Sequence, residues 1–269
     1  MHPMAGRELL IRAERAEAEG FHSLMASIDD HVKRDLGIAT TRVKGAPAWS
    51  CEAIGWTLFN RTLGLGLYDS FDETALGRIA EFAGGRPHAI EVSPNAATLD
   101  IADLERHGYR EARRRPKFVR SSEPRDAPQG IEVRAAAPTD QETFADVMVA
   151  SFGLPPEASR WVRSVVATQC EGRVTVLALA DGRPAGTGFL FCSEGIGWLG
   201  GGCCLPEFRG RGVQRALIEG RSRMARDLGA SWVTSETNAD TADDPGYSFR
   251  NMIRSGFDHA FDRPQFARE

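Results

Sequence analysis

The chain has 269 residues, enough for one large domain or two small ones. Hydrophobic residues make up 42% and charged residues 26%, a globular composition that excludes disordered, collagen-like and coiled-coil chains. The net charge of -4 gives no overall attraction for nucleic acid or an anionic membrane, so any basic site must be local. The 28 glycines exceed the count expected at average usage and need a location.

The N-terminus and the cysteines predict a cytoplasmic protein. The opening residues alternate charges with alanine instead of forming a signal-peptide core, and no apolar run is long enough to span a bilayer. The five cysteines include no CxxC pair and suit free thiols in a reducing compartment. The six histidines are scattered without ligand spacing, so we expect no metal ion.

The first half of the chain carries the weaker pattern. The predicted elements are a strand at 57–67, a helix at 72–83, a strand at 88–92, a helix at 100–107 and a strand at 117–120. We assign no element to residues 1–56.

A connection between two packed segments is predicted at residues 121–130. This stretch, SSEPRDAPQG, has two prolines, polar neighbours and no apolar periodicity. We therefore expect two domains, at residues 1–124 and 130–269.

The second half has a regular β-α-α-β-β-β-α-β-α-β pattern. Its elements are predicted as a strand at 131–134, a helix from Thr139, a helix at 156–169, strands at 174–180, 185–191 and 196–205, a helix at 213–228, a strand at 231–236, a helix at 247–255 and a strand at 257–261. Asp181 and Gly182 suit a hairpin turn, and Gly229 suits a helix C-terminus. The last five elements repeat the order of the first half, which predicts two related halves.

The most informative stretch lies between a strand and a helix, at residues 205–217. Its glycines, Gly210 and Gly212, allow backbone N–H groups to converge, and the helix N-terminus adds donors and a partial positive charge. Three arginines add full charges: Arg209, Arg211 and Arg215. The stretch predicts a cradle for an anion such as phosphate.

Two other patterns have weaker functional interpretations. Gly195, Gly197 and Gly200 spell a dinucleotide-binding pattern, but no helix can open on it before Pro206, so we interpret it as a glycine-rich strand entry. The basic run at 106–125, with interleaved aromatics, suggests an RNA-associated protein. We instead interpret this run as a solvated last strand of the first half. The negative net charge also argues against a nucleic-acid partner.

The second half resembles the GNAT superfamily of N-acetyltransferases, whose signature [QR]-x-x-G-x-[GA] follows a central strand and precedes a helix. Residues 209–214, RGRGVQ, match this signature except at Gln214, which replaces a small residue. The pattern SFRNMIRSGF at 248–257 is also similar. The resemblance covers about residues 131–269, and the whole chain looks like tandem GNAT proteins whose degenerate first copy lacks the cofactor loop.

The resemblance implies an α/β (α+β) fold of two GNAT-like mixed-sheet domains, with helices on both faces and the cofactor site in the C-terminal domain. It implies transfer of an acetyl group from acetyl-CoA to a primary amine of a small molecule or protein, without a metal, by a monomer or homodimer. The implied cofactor-binding residues are Cys203, Cys204, Leu205, Arg209, Gly210, Arg211, Gly212, Val213, Gln214, Arg215, Ser248 and Asn251.

The catalytic residues implied are less complete. A backbone N–H near Cys204 would stabilise the oxyanion, and Glu236 is the first choice for the base, with a structural or substrate-orienting role left open. The family often has a tyrosine where this chain has Met252, so Ser248 is the best polar candidate to contact the CoA sulfur and Tyr247 a weaker one. Met252 also suggests an alternative, a CoA-binding or ligand-sensing module without turnover.

Overall fold

The computed structural model of the chain describes residues 6–96, 100–123, 125–238 and 246–268. The described residues form one mixed sheet of eleven strands and eight α-helices. Helices pack on both faces of the sheet, which confirms the predicted fold class. In the described ranges, no helix is both long and apolar enough to cross a membrane.

The first half contains four helices and five strands. Their bounds are α1 (Arg7–Ala26), α2 (Asp30–Leu36), β1 (Ile38–Val43), β2 (Ala46–Cys51), β3 (Arg61–Thr62), α3 (Glu73–Ala83), β4 (His88–Glu91), α4 (Ile101–Arg106) and β5 (Arg110–Ser121). The predicted helices and the strand at 88–92 are confirmed. The strand predicted at 57–67 shrinks to two residues, because Gly64 and Gly66 take positive φ angles of 74° and 78° and turn the chain.

The second half confirms every predicted element. Their bounds are β6 (Ile131–Ala135), α5 (Gln141–Phe152), α6 (Ala158–Ala167), β7 (Arg173–Ala180), β8 (Arg183–Ser193), β9 (Ile196–Cys204), α7 (Val213–Asp227), β10 (Trp232–Glu236), α8 (Gly246–Arg254) and β11 (Asp258–Arg268). The turn between β7 and β8 has positive φ at both Asp181 and Gly182, as a tight hairpin requires. Strand β11 is longer than the predicted 257–261.

The two halves share their last strands. The strand order is β1-β2-β3-β4-β11-β5-β10-β9-β8-β7-β6. Strand β11, from the second half, lies between β4 and β5 of the first half, and β5 lies between β11 and β10. Each half therefore contributes a strand to the other's part of the sheet. The division into residues 1–124 and 130–269 stays a prediction.

The prediction that the last strand of the first half is solvated is wrong for the second half of β5. Lys117 and Arg120 are only 0% and 3% exposed, because Lys117 contacts Glu17 of α1 and Arg120 contacts Glu219 of α7. Lys117 Nζ lies 2.5 Å from a Glu17 carboxylate oxygen, and Arg120 Nη2 lies 2.9 Å from Glu219. These two cations are therefore held inside the fold and offer no surface to RNA.

A buried ionic cluster joins α1 to the shared strands. Glu17 receives hydrogen bonds from Lys117 of β5 and from Arg263 of β11, all between 2.5 and 2.9 Å. Burial alone would raise the pKa of Glu17, but these two cations hold it well below its usual range. The members of the buried ionic cluster are Glu14, Glu17, Glu91, Arg61, Arg115, Lys117 and Arg263.

We expect Glu17→Gln to lower the free energy of unfolding by about 3–5 kcal/mol, because it leaves Lys117 buried without its counter-charge and removes one carboxylate partner of Arg263. The matched control is Glu19→Gln on the same helix, where the partner Arg42 is exposed and the loss should stay near 1 kcal/mol or less. Urea denaturation of both variants measures the difference. Equal losses would show that the buried ionic cluster adds nothing beyond a surface pair.

Candidate active site

Strands β9 and β10 run side by side for three residue pairs and then separate. Residues 232–234 of β10 pair in parallel with residues 196–198 of β9. Past Trp198, β9 continues to Cys204 without β10 as a partner, and Ser235 Oγ donates to the Leu199 carbonyl at 2.8 Å. The separation opens one edge of the β9 backbone.

Strand β9 also bulges at this opening. The register against β8 shifts so that Gly201 and Gly202 stand opposite Gly188 alone, and Gly201 has a φ of 56°. Arg221 from α7 is 2% exposed and donates to the Gly200 carbonyl at 2.9 Å. Burial lowers the pKa of Arg221 to about 10, so it remains a cation that holds the bulge.

The opening leads into a cavity of about 600 Å³ that both halves line. The second half contributes Gly201, Gly202, Gln214, Glu236, Ser248 and Asn251 to its wall. The first half contributes apolar side chains from α1 and the segment before β3, together with Arg61, Arg113 and Arg115. A ligand in this cavity would contact both halves.

Glu236 ends β10 in the cavity wall. Trp198 Nε1 donates a hydrogen bond to Glu236 Oε2 at 2.9 Å. Burial raises the pKa of Glu236, and the negative charge of Glu17 adds to the rise. A partly buried carboxylate with a raised pKa in a cavity is suited to general base chemistry.

The Trp198 indole is fixed by packing on both sides. It contacts Phe21 of α1 with ring centroids 4.5 Å apart. A Cβ atom at Gly20 or at Gly200 would overlap the indole ring, so two of the surplus glycines make room for it. This packing keeps the donor to Glu236 in place.

The loop before α7 has the geometry of an anion cradle. Gly210 and Gly212 take φ angles of 77° and 88°, and no side chain caps the N-terminus of α7. The first N–H groups of the helix therefore have no intrahelical partner. Arg211 pairs with Asp181, and Arg215 donates to the Asp126 carbonyl at 3.0 Å.

Gln214, which replaces the small residue of the GNAT signature, lies in the cavity wall. Its Nε2 donates to the Gly202 carbonyl at 3.3 Å, across the bulge of β9. The larger side chain is thus accommodated by a hydrogen bond to the strand. Its predicted contact with the cofactor stays a prediction.

The predicted site residues on α8 differ in whether they line the cavity. Ser248 and Asn251 of α8 line the cavity beside Met252, whereas Tyr247 is 80% exposed and lies outside the wall, under the Arg250 guanidinium. Tyr247 therefore faces solvent and does not contact a ligand in the cavity.

The thiol groups of the two cysteines at the end of β9 pack against other protein groups. The Cys203 Sγ lies 3.1 Å from Thr187 Oγ1, and burial raises the pKa of both the Cys203 and the Cys204 thiols. Val213 and the partly buried Leu205 pack in the core next to the loop. Arg209 follows the turn at Pro206–Phe208 and leads into the loop.

Several wall residues have no counterpart in the sequence predictions. Arg221 follows Leu217 by one helical turn, and a cation within the apolar stripe of α7 was a usable signal. Arg113 and Arg115 stand at alternating positions in the basic run, which puts them on one strand face. Nothing local marks Arg61, because it meets the others only in the folded chain.

Comparison with known proteins identifies the fold. No family model matches the chain, and no curated protein matches it. A GCN5-related N-acetyltransferase from Kribbella flavida superposes with a TM-score of 0.64 at 19% identity, over 95% of each chain. One from Sphaerobacter thermophilus gives 0.57 at 18% identity, covering 96% of this chain and 93% of its own.

A tandem GNAT protein from the clavulanic acid biosynthesis pathway gives a TM-score of 0.52 at 16% identity, covering 97% of this chain and 93% of its own. The chain therefore has the fold of the GCN5-related N-acetyltransferases, and the likeness extends over both halves. The resemblance read from residues 209–214 is confirmed at the level of the fold.

Proposed function

We propose that this protein is an N-acetyltransferase that moves the acetyl group of acetyl-CoA to a primary amine bound in the cavity. The observation that carries the proposal is Glu236, a partly buried carboxylate with a raised pKa, which lines the cavity where β9 and β10 separate. The shared fold supports acyl transfer as the reaction class.

The residues present fit acetyl-CoA. The open N–H groups at Gly210, Gly212 and the first turn of α7 would bind the pyrophosphate. The pantetheine arm would lie along the unpaired edge of β9 that ends at residues 203–205, with Ser248 and Asn251 on the facing helix. When bound, acetyl-CoA supplies a thioester carbonyl carbon that a neutral amine can attack.

The roles of the chain's own residues follow from their chemistry. Glu236 takes the proton from the amine, while Trp198 fixes the orientation of its carboxylate. A backbone N–H near Cys204 would stabilise negative charge on the carbonyl oxygen. The Ser248 hydroxyl would donate a hydrogen bond to the leaving sulfur.

The activity is tested by mixing the protein with acetyl-CoA and a panel of primary amines while following release of the CoA thiol. We expect acetyl-CoA to raise the midpoint of thermal unfolding and at least one amine to release thiol. The proposal would be contradicted if acetyl-CoA left the midpoint unchanged and no amine in the panel released thiol.

A second candidate function is a CoA-binding or ligand-sensing module without turnover. Met252 favours it, because this buried thioether stands where the family often has a proton-donating tyrosine. This candidate predicts stabilisation by acetyl-CoA without thiol release from any amine in the panel. Turnover with one amine would exclude it.

Trp198→Phe should move the acidic limb of the kcat/KM pH profile to higher pH. The indole N–H hydrogen bond lowers the pKa of Glu236, so its loss raises that pKa further, and a base acts only when deprotonated. The control is Trp161→Phe in the same cavity, whose Nε1 donates to the Leu24 carbonyl at 2.8 Å instead. The same displacement in both variants would contradict the role of Trp198.

A further inference from the structure

The wall that the first half contributes to the cavity is cationic. Arg61, Arg113 and Arg115 all line it. The pairing of Lys117 with Glu236 in the antiparallel register places Arg115 two residues further along β5, on the same face of the sheet as Glu236. Arg113 and Arg115 therefore stand on β5, the strand next to the proposed base.

The three arginines in this wall have fewer carboxylate partners than positive charges. Glu91 is the carboxylate that contacts both Arg61, at 2.9 Å, and Arg115, at 3.5 Å, and it also pairs with Arg263. The Arg61 Nη1 contact lacks hydrogen-bond geometry, which leaves that buried donor unsatisfied. Within the described part of the chain, Arg113 forms no ion pair.

The buried ionic cluster has one more cation than carboxylates. It holds four cations, Arg61, Arg115, Lys117 and Arg263, and three carboxylates, Glu14, Glu17 and Glu91, and the neighbouring Glu236 balances the remaining positive charge only when it is ionised. Burial raises the pKa of Glu14, and the charge of Arg263 opposes that rise. Exposed Arg113 adds a further positive charge at the cavity wall.

Apart from Thr57, the rest of the first-half wall is apolar. Phe21, Leu24, Met25, Trp56 and Leu58 line the same cavity. The Arg61 guanidinium itself lies over the Phe21 ring, with 5.4 Å between Cζ and the ring centroid. An apolar surface therefore adjoins the cations, inside a volume that suits a small molecule.

We propose that the acceptor is a small amine with an anionic carboxylate or phosphonate group and an apolar body, of which an α-amino acid with an apolar side chain is the simplest case. The anion binds Arg113 and Arg115, and the amine faces Glu236. This inference rests on the proposed function. In the reaction the amine nitrogen bonds to the acetyl carbon, the C–S bond breaks, CoA leaves as the thiolate, and the amine proton passes to Glu236.

Three matched amines test this acceptor class: L-phenylalanine, phenethylamine without the anion, and 1-amino-2-phenylethylphosphonate. We expect at least one anionic amine to exceed phenethylamine by about ten-fold or more in kcat/KM for thiol release. A preference for the carboxylate or for the phosphonate identifies which anion the site takes.

The variant Arg113→Ala should reduce that ratio by about ten-fold. The matched control is Arg114→Ala, one residue along β5, because Arg114 is bonded to Glu111 at 2.8 Å and is absent from the cavity wall. The control should keep the full ratio. Equal effects of the two variants, or a neutral amine that matches both anionic ones, overturn the inference.

Direct binding separates this inference from the proposed function. Calorimetry with N-acetyl-L-phenylalanine and N-acetylphenethylamine needs no turnover. If no amine releases thiol, the anion site can still be tested by affinity. Tighter binding of N-acetyl-L-phenylalanine supports the anion site if Arg113→Ala removes this preference and Arg114→Ala keeps it. Absence of that preference overturns the anion site, whereas failure of acetyl-CoA to bind overturns the proposed function alone.

Discussion

Glu236→Gln lowers kcat/KM for acetyl transfer by about 10²–10⁴-fold, the usual contribution of a general base. The amide can still accept the Trp198 hydrogen bond, but it cannot take the amine proton. Thiol release at saturating acetyl-CoA measures the loss. A variant that keeps wild-type kcat/KM would show that Glu236 has only a structural or orienting role.

The same substitution should stabilise the fold at neutral and alkaline pH. Since the folded chain raises the pKa of Glu236, the folded state holds this proton more tightly than the unfolded state, and stability falls as pH rises past the ordinary carboxyl pKa. Glutamine removes that penalty. We expect a higher thermal midpoint than wild type at about pH 8, with the difference shrinking toward about pH 4.

Glu219→Gln is the contrasting control for stability. Glu219 is buried and lies 2.9 Å from Arg120, so its loss leaves a buried cation unpaired and should lower the thermal midpoint. If both variants change the midpoint in the same direction, the charge on Glu236 is not the source of the destabilisation.

Gly212→Val should weaken acetyl-CoA binding at least about 100-fold, equal to 2.7 kcal/mol or more. The φ of 88° at Gly212 disfavours a β-branched residue, and an added Cβ would meet Pro128 at 3.0 Å. Both effects displace the N–H groups that would bind the pyrophosphate. Calorimetric titration measures the affinity.

Gly229→Val supplies a matched control at the other end of α7. Gly229 has a φ of 85° and no atom within 4 Å of an added Cβ, so it carries the same backbone strain far from the cradle. Both variants should lose about 1–2 kcal/mol of stability, but only Gly212→Val should lose affinity for acetyl-CoA. The affinities of the two variants for acetylpantetheine, which lacks the pyrophosphate, should differ far less. Equal affinities for acetyl-CoA in the two variants would contradict the cradle.

Local signals explain why the second half could be predicted from the sequence. The turn at Asp181 and Gly182 and the helix end at Gly229 depend on backbone conformations that few residues adopt. The exchange of β5 and β11 could not be predicted, because it depends on pairing between segments far apart in the chain. The basic run was interpreted as solvated for the same reason.

The candidate site shows the same limit. Glu236, Gln214, Ser248 and Asn251 were predicted from one half, and all four line the cavity. The cationic wall was missed because Arg61 comes from the other half, and no pattern in a single sequence indicates that the two halves face one cavity. Tyr247 was a candidate by position along the chain, but the helix turns it toward solvent.

Calorimetric titration of the wild-type protein with acetyl-CoA tests the central claim most directly. The open edge of β9 and the glycine cradle predict saturable binding at one site per chain, with a negative heat-capacity change from burial of the pantetheine arm. Absence of saturable heat up to about 1 mM acetyl-CoA, a free energy of about -4.1 kcal/mol, would contradict it.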